Sequence, residues 1–128
     1  MSLLLDTHVL FWWITGDERL SAVAIAAIEQ AKGRCHVSAV SAFELANKVR
    51  LGKFDEARKL SESLDDFMSA NGFQAMMISH AHAKLAGELA GEHRDPFDRL
   101  LAAQAIVEDM AVVTIDTQIA ELGARVVW

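Results

Sequence analysis

The chain is poor in the residues that break or cross-link structure, with one proline, one cysteine and seven glycines in 128 residues. With 52% hydrophobic residues beside so little Pro and Gly, a disordered or low-complexity protein is excluded, and the length fits one domain, residues 1–128. A lone thiol, Cys35, cannot close an internal disulfide, and no His or Cys partners surround it at zinc spacing, so a packed, buried thiol is expected. Long apolar runs are missing as well. Runs such as residues 9–14 fall far short of the ~20 residues of a membrane span, and no basic segment leading into an apolar stretch opens the chain. The expectation is a soluble cytoplasmic protein with no membrane partner. Basic residues are the minority, 12 Lys and Arg against 18 Asp and Glu, for a formal charge of −6. That balance argues against a general nucleic-acid binder but not against an enzyme whose acidic site is neutralised by metal ions. Also absent are a Gly-rich phosphate loop after the first strand and any Ser, His and Asp spacing of a hydrolase triad. His80 and His82, two apart on a helix, diverge and cannot share an ion.

What is present begins with Leu3-Leu4-Leu5-Asp6-Thr7, an apolar run ending abruptly in a carboxylate, the pattern of a buried central strand. Ala111-Val112-Val113-Thr114-Ile115-Asp116-Thr117 repeats it near the other end. Between them the residues predict helices over 7–15 (Asp6 as N-cap, Gly16 as stop), 22–31 after Ser21, 41–49 starting at Ser41, 55–70 as one amphipathic helix, and 80–90 after Ser79. Strands are predicted at 36–38 and 75–78. Asp95-Pro96 is the clearest helix start, with Pro at the first helical position and Asp98 at the third. A short helix 117–122 and a strand 125–128 finish the chain. In the third helix Ala42, Leu45, Ala46 and Val49 recur at helical spacing as the buried stripe, which leaves Ser41, Glu44 and Lys48 on another face. Strands alternating with helices predict a three-layer α/β/α sandwich around a five-stranded parallel sheet.

Each acid has an ordinary structural explanation. Asp6, Asp95 and Asp116 can be N-caps, Asp98 can offset the positive end of its helix, and Glu44 can pair with Lys48 one turn on. Together they say more, because strand ends and helix starts at one edge of a parallel sheet converge, and open α/β folds build their sites there. Crowded carboxylates repel unless a cation sits among them, and hard oxygen ligands suit Mg²⁺ or Mn²⁺.

The stretches Leu-Leu-Leu-Asp-Thr-His-Val-Leu (3–10), Val-Ser-Ala-Val-Ser-Ala-Phe-Glu-Leu-Ala-Asn-Lys (37–48), His-Arg-Asp-Pro-Phe-Asp-Arg-Leu-Leu-Ala-Ala-Gln-Ala (93–105) and Val-Val-Thr-Ile-Asp (112–116) resemble PIN-domain ribonucleases, and more closely the VapC toxins of bacterial type II toxin–antitoxin systems. The resemblance spans essentially the whole chain. It implies a sheet with the first strand central and the fourth beside it, and it carries the family's acidic quartet onto Asp6, Glu44, Asp98 and Asp116. Asp95 is the ambiguous acid; Asp98 opens the stretch that matches the third acidic motif. Phe43 stands where relatives often carry Trp, and Ile115 where many carry a polar residue.

The activity implied is Mg²⁺-dependent endoribonuclease, with Mn²⁺ as an alternative ion, metal bound by Asp6, Asp98 and Asp116, and Glu44 completing the site. Thr7, Ser41 and Thr114 are candidate orienting donors, and Lys48, Arg50, Lys53, Arg94 and Arg99 candidate phosphate contacts. The implied partners are an RNA substrate, a cognate antitoxin presenting a basic segment, and a second copy in a homodimer. Two rival classes are a catalytically silent PIN-like binding module and a receiver-type phosphoacceptor domain. The second needs an Asp after a middle strand and a late Lys, whereas no Lys follows Lys84.

Overall fold

A computed structural model describes residues 1–128. Five short strands, β1 (Leu3–Leu5), β2 (Cys35–Ser38), β3 (Gln74–Met76), β4 (Ala111–Val113) and β5 (Arg125–Val127), pair in parallel in the order β3-β2-β1-β4-β5. Eight α-helices connect them: α1 (Thr7–Thr15), α2 (Ala22–Gln30), α3 (Ala39–Arg50), α4 (Arg58–Glu62), α5 (Leu64–Ala70), α6 (His80–Glu88), α7 (Pro96–Val107) and α8 (Thr117–Glu121). The expected five-stranded parallel α/β/α architecture is the one observed. Its strand order also differs from the 2-1-3-4-5 order of receiver domains.

Strand β1 lies at the centre because all three of its leucines face protein. Leu3 and Leu5 join Val37, Ala111 and Val113 in one core with α1 and α2, while Leu4 and Val112 point to the other face, into a second core with α7 and α8. Alternation along the strand thus fills two layers from one apolar run. The register sets Leu5 opposite Val113, and the chain moves outward from β1 through β2 to β3 on one side and from β4 to β5 on the other. The point of reversal, between β1 and β4, opens a crevice at the carboxyl ends of the strands.

Local chemistry sets most element ends. The Asp6 carboxylate accepts from the backbone N–H of Thr7 at 2.6 Å to start α1, and Gly16 ends it at φ 67°, a left-handed conformation that suits glycine. Asp95 accepts from the Phe97 N–H at 2.9 Å ahead of Pro96, as the spacing predicts. Cys35 is buried, and of the adjacent tryptophans Trp12 is buried while Trp13 is half-buried.

Five expectations are corrected. α3 begins at Ala39, two residues before the expected start at Ser41, and is capped by Ser38. Its buried residues are Val40, Ser41, Leu45 and Val49, with Ala42 and Ala46 exposed, because α3 supplies both cores at once: Val40 to one, Leu45 and Val49 to the other. The predicted 55–70 helix is divided into a 3-10 turn, α4 and α5, with a break at Ser63 (φ −121°, ψ 33°) where the chain leaves α3 to pack on β3. The third strand is Gln74–Met76, ending two residues before the apolar run does, and α6 stops at Glu88.

Candidate active site

Asp6 leaves β1 where the strand turns into α1, and its own N–H donates to the Val113 carbonyl of β4 at 3.1 Å, which ties it to the neighbouring strand. One carboxylate oxygen accepts from Thr7 N–H; the other accepts from the Thr114 hydroxyl at 2.7 Å. That hydroxyl also accepts from the Asp116 N–H at 3.0 Å, so Thr114, buried just beyond β4, holds both strand-end acids. Asp116 in turn caps α8 by accepting from Gln118 N–H at 2.8 Å.

Glu44 arrives from α3. The Thr7 hydroxyl donates to its Oε1 and Lys48 Nζ to its Oε2, both at 2.7 Å. Thr7 has one hydroxyl proton and gives it to Glu44, so the Ser41 hydroxyl 2.8 Å away donates to Thr7. Ser41 is therefore a buried member of a Ser41–Thr7–Glu44 relay and not a surface residue. α3 is further pinned by Ser38, whose hydroxyl donates to Gln104 Oε1 of α7 at 2.6 Å; Gln104, fully buried, donates to the Met77 carbonyl beyond β3 at 3.3 Å.

Asp98 lies in the first turn of α7, 16% exposed, with its Oδ2 2.8 Å from His93 Nε2. Burial pushes its carboxyl up to about 6, the His93 hydrogen bond opposes that rise, and the charges of Asp95, Asp116 and Asp6 add to it. Burial likewise raises Asp6; Thr114 and the Thr7 N–H pull it back, Glu44 repels it and His8 favours its charge.

Asp6, Glu44, Asp98 and Asp116 line one cleft of about 540 Å³, together with Asp95, His8, Trp12, Arg19, Lys48 and Ile115. Four acids spread over 111 residues of sequence thus come together at the β1/β4 crevice. Possible ligand atoms of His93, Asp95 and Asp98 all lie within 4.8 Å of one another. Asp95 therefore stands at the site as well as capping α7. His93 was not singled out from the sequence; its only signal there is its place in His-Arg-Asp-Pro-Phe-Asp, and the loop conformation decides the contact.

Of the five basic residues expected to meet phosphate, only Lys48 lines the cleft, and it is paired to Glu44. Arg99 is corrected outright. Its guanidinium donates to the carbonyls of Ala86 and His93, each at 2.9 Å, and of Leu89, so it is spent fastening the α6–α7 loop. Arg19 is the cleft cation the sequence did not single out.

This frame is that of a PIN domain: a parallel sheet reversing between β1 and β4, with carboxylates from both strand ends and two helices around the crevice. The PIN domain family model matches residues 3–125, and the chain belongs to that family. Among its relatives, it is 33% identical over 121 residues to Ribonuclease VapC22 of Mycobacterium tuberculosis (strain ATCC 25618 / H37Rv), covering 92% of this chain and 89% of that protein. In fold it is similar to VapBC2 from Rickettsia felis, solved bound to a DNA fragment from their promoter (TM-score 0.71, 21% identity, 98% of this chain and 97% of that one). It is similar also to DNA-bound VapBC from Salmonella typhimurium (TM-score 0.69, 17% identity, 98% and 96%).

The donor set fits a hard divalent cation. The quartet offers oxygen only, burial disfavours the charged form of Asp6 and Asp98, and Lys48 is already paired with Glu44.

Proposed function

We propose that the protein is a Mg²⁺-dependent endoribonuclease and the toxin of a type II toxin–antitoxin pair, acting in the cytoplasm. The observation that carries this is the meeting of the carboxylates of Asp6, Glu44, Asp98 and Asp116 in one cleft, in a chain 33% identical to a protein named as a ribonuclease.

Asp6, Asp98 and Asp116 would hold the ion and Glu44 would hold water beside it. Bound Mg²⁺ would supply a water of lowered pKa and neutralise charge on the phosphate oxygens. The chain's own residues prepare the site. Thr114 and the Thr7 N–H oppose the rise that burial imposes on Asp6 and fix both its oxygens; Thr7 and Lys48 fix both oxygens of Glu44, and His93 holds one oxygen of Asp98. These bonds aim the carboxylates before substrate arrives, so little reorganisation is left for the reaction. Hydrolysis at phosphorus would leave a 5′ phosphate and a 3′ hydroxyl.

An antitoxin carrying a basic segment fits both the acidic cleft and the formal charge of −6. Exposed Phe43, Leu51 and Met77 offer apolar surface for that partner and for a homodimer. Asp6→Asn tests the reading: the variant should fold and lose Mg²⁺-dependent RNA cleavage, and full cleavage by the variant, or by wild type in EDTA, refutes it. A properly folded wild type with no cleavage under any divalent ion would instead favour the silent binding module.

A further inference from the structure

We propose that Arg19 is a phosphate-binding residue for the RNA strand, contacting a phosphate beside the one being cut. The inference rests on the ribonuclease reading of the same cleft. A strand of RNA lying over Asp6, Glu44, Asp95, Asp98 and Asp116 meets five carboxylates, and an ion among them answers for the reacting phosphate only. Neighbouring phosphates need cations of their own. Of the cleft's permanent cations, Lys48 is committed to Glu44 at 2.7 Å with its side chain 32% exposed, whereas Arg19 is 66% exposed.

Arg19 is also held in place, which a solvated surface arginine is not. Its Nε and Nη2 donate to the two oxygens of Asp17 at 3.0 and 2.7 Å, and its own backbone N–H donates to Asp17 Oδ1 at 2.8 Å. The guanidinium carbon stands 5.2 Å from the centroid of the Trp12 ring, over its face. Two of the five side-chain N–H groups are thereby used and three remain for a ligand. A fork with one side on a carboxylate, one face on an indole and free donors is preorganised for a phosphate, so little side-chain entropy is lost on binding.

Trp12 places it along the strand path. Trp12 and Asp6 are separated by six residues on α1 and its cap, about 9 Å of axial rise, so Arg19 lies away from the metal-binding carboxylates and serves a neighbouring nucleotide. His8, one turn before Trp12, lines the same wall and stacks on Phe54 with centroids 5.5 Å apart.

The test measures binding of a short labelled single-stranded RNA of mixed sequence to the full chain, with Ca²⁺ replacing Mg²⁺ to hold off cleavage, across about 50 to 200 mM salt. Arg19→Gln should weaken binding roughly 3- to 10-fold and reduce the slope of log affinity against log salt by about 0.7, the loss of one single-strand phosphate contact. Arg19→Lys, which keeps the charge, should retain the slope. Arg125→Gln is the matched control: Arg125 is 56% exposed, paired with Asp109, and begins β5 at the opposite end of the sheet. In Mg²⁺, Arg19→Gln should raise KM for RNA with kcat little changed and an unaltered Mg²⁺ requirement. An Arg19→Gln protein that binds RNA with wild-type affinity and slope overturns the proposal and leaves Arg19 as a brace for the α1–α2 turn. A wild type that neither binds nor cuts RNA overturns the ribonuclease reading itself, an outcome distinct from the first.

Discussion

Removing the charge at Asp98 should make the metal-free protein more stable. Its carboxyl, ordinarily near 3.8, is pushed up to about 6 by burial and by the charges of Asp95, Asp116 and Asp6. A folded-state value above the unfolded one means that the ionised group opposes folding. The penalty is absent below pH 3.8, grows between 3.8 and about 6, and is complete above that. The shift converts to about 3 kcal/mol at its ceiling, and water in the open cleft screens it to about 1–2 kcal/mol. Asp98→Asn keeps the size of the side chain and an acceptor for His93. In EDTA at pH 7.5 it should therefore raise Tm by roughly 3–8 °C, and the advantage should vanish near pH 4, where wild type is protonated. Mg²⁺ should reverse the order, since the wild-type carboxylate gains a ligand to bind and the amide does not. Differential scanning fluorimetry over pH, with and without Mg²⁺, reads both effects. An Asp98→Asn protein no more stable than wild type at pH 7.5 without metal, or stabilised equally by Mg²⁺, refutes the account of a strained acidic cleft awaiting a cation.

Two further outcomes follow from individual contacts. Thr114→Val removes the hydroxyl that donates to Asp6, so it should destabilise the fold by about 1.5–3 kcal/mol and push the Asp6 carboxyl further up. The acid limb of the cleavage profile should then move to higher pH, and an unmoved limb would contradict the assignment. Arg99→Gln leaves three carbonyls without their shared donor and should cost about 2–4 kcal/mol. Limited proteolysis should then cut within residues 89–95, and a loop as resistant as in wild type would show that the clamp is dispensable.

How much of this could be read from the chain alone differs by element. The helix starts at Asp6, Ser21, Ser79 and Asp95 were legible because a cap acts within three residues of itself. At α3 the start predicted at Ser41 lies two residues late, because β2 pairing ends at Ser38 and that residue then caps the helix. The break at Ser63 has neither Pro nor Gly to announce it, and it arises because α4 follows α3 while α5 follows β3. In the site, the quartet was legible through the motifs that carry it. His93, Arg19 and the real task of Arg99 were not, because each is defined by what a loop brings within 3 Å and not by spacing.

The sequence by itself determined the class of fold and the two buried strands that run on to an Asp, since burial of Leu3–Leu5 and Ala111–Val113 and the capping habit of aspartate are local facts, while the choice of four acids rested on the family resemblance. Only the tertiary structure decided that these acids share one cleft, that Thr7 and Thr114 aim them, and that Arg19 and not Arg99 faces it. Carboxylate repulsion, hydrogen-bond direction and the free edge of a guanidinium depend on distances through space. The strand order β3-β2-β1-β4-β5 sets those distances by pairing Leu5 with Val113, so that Asp6 and the 114–116 segment leave the sheet at the same edge.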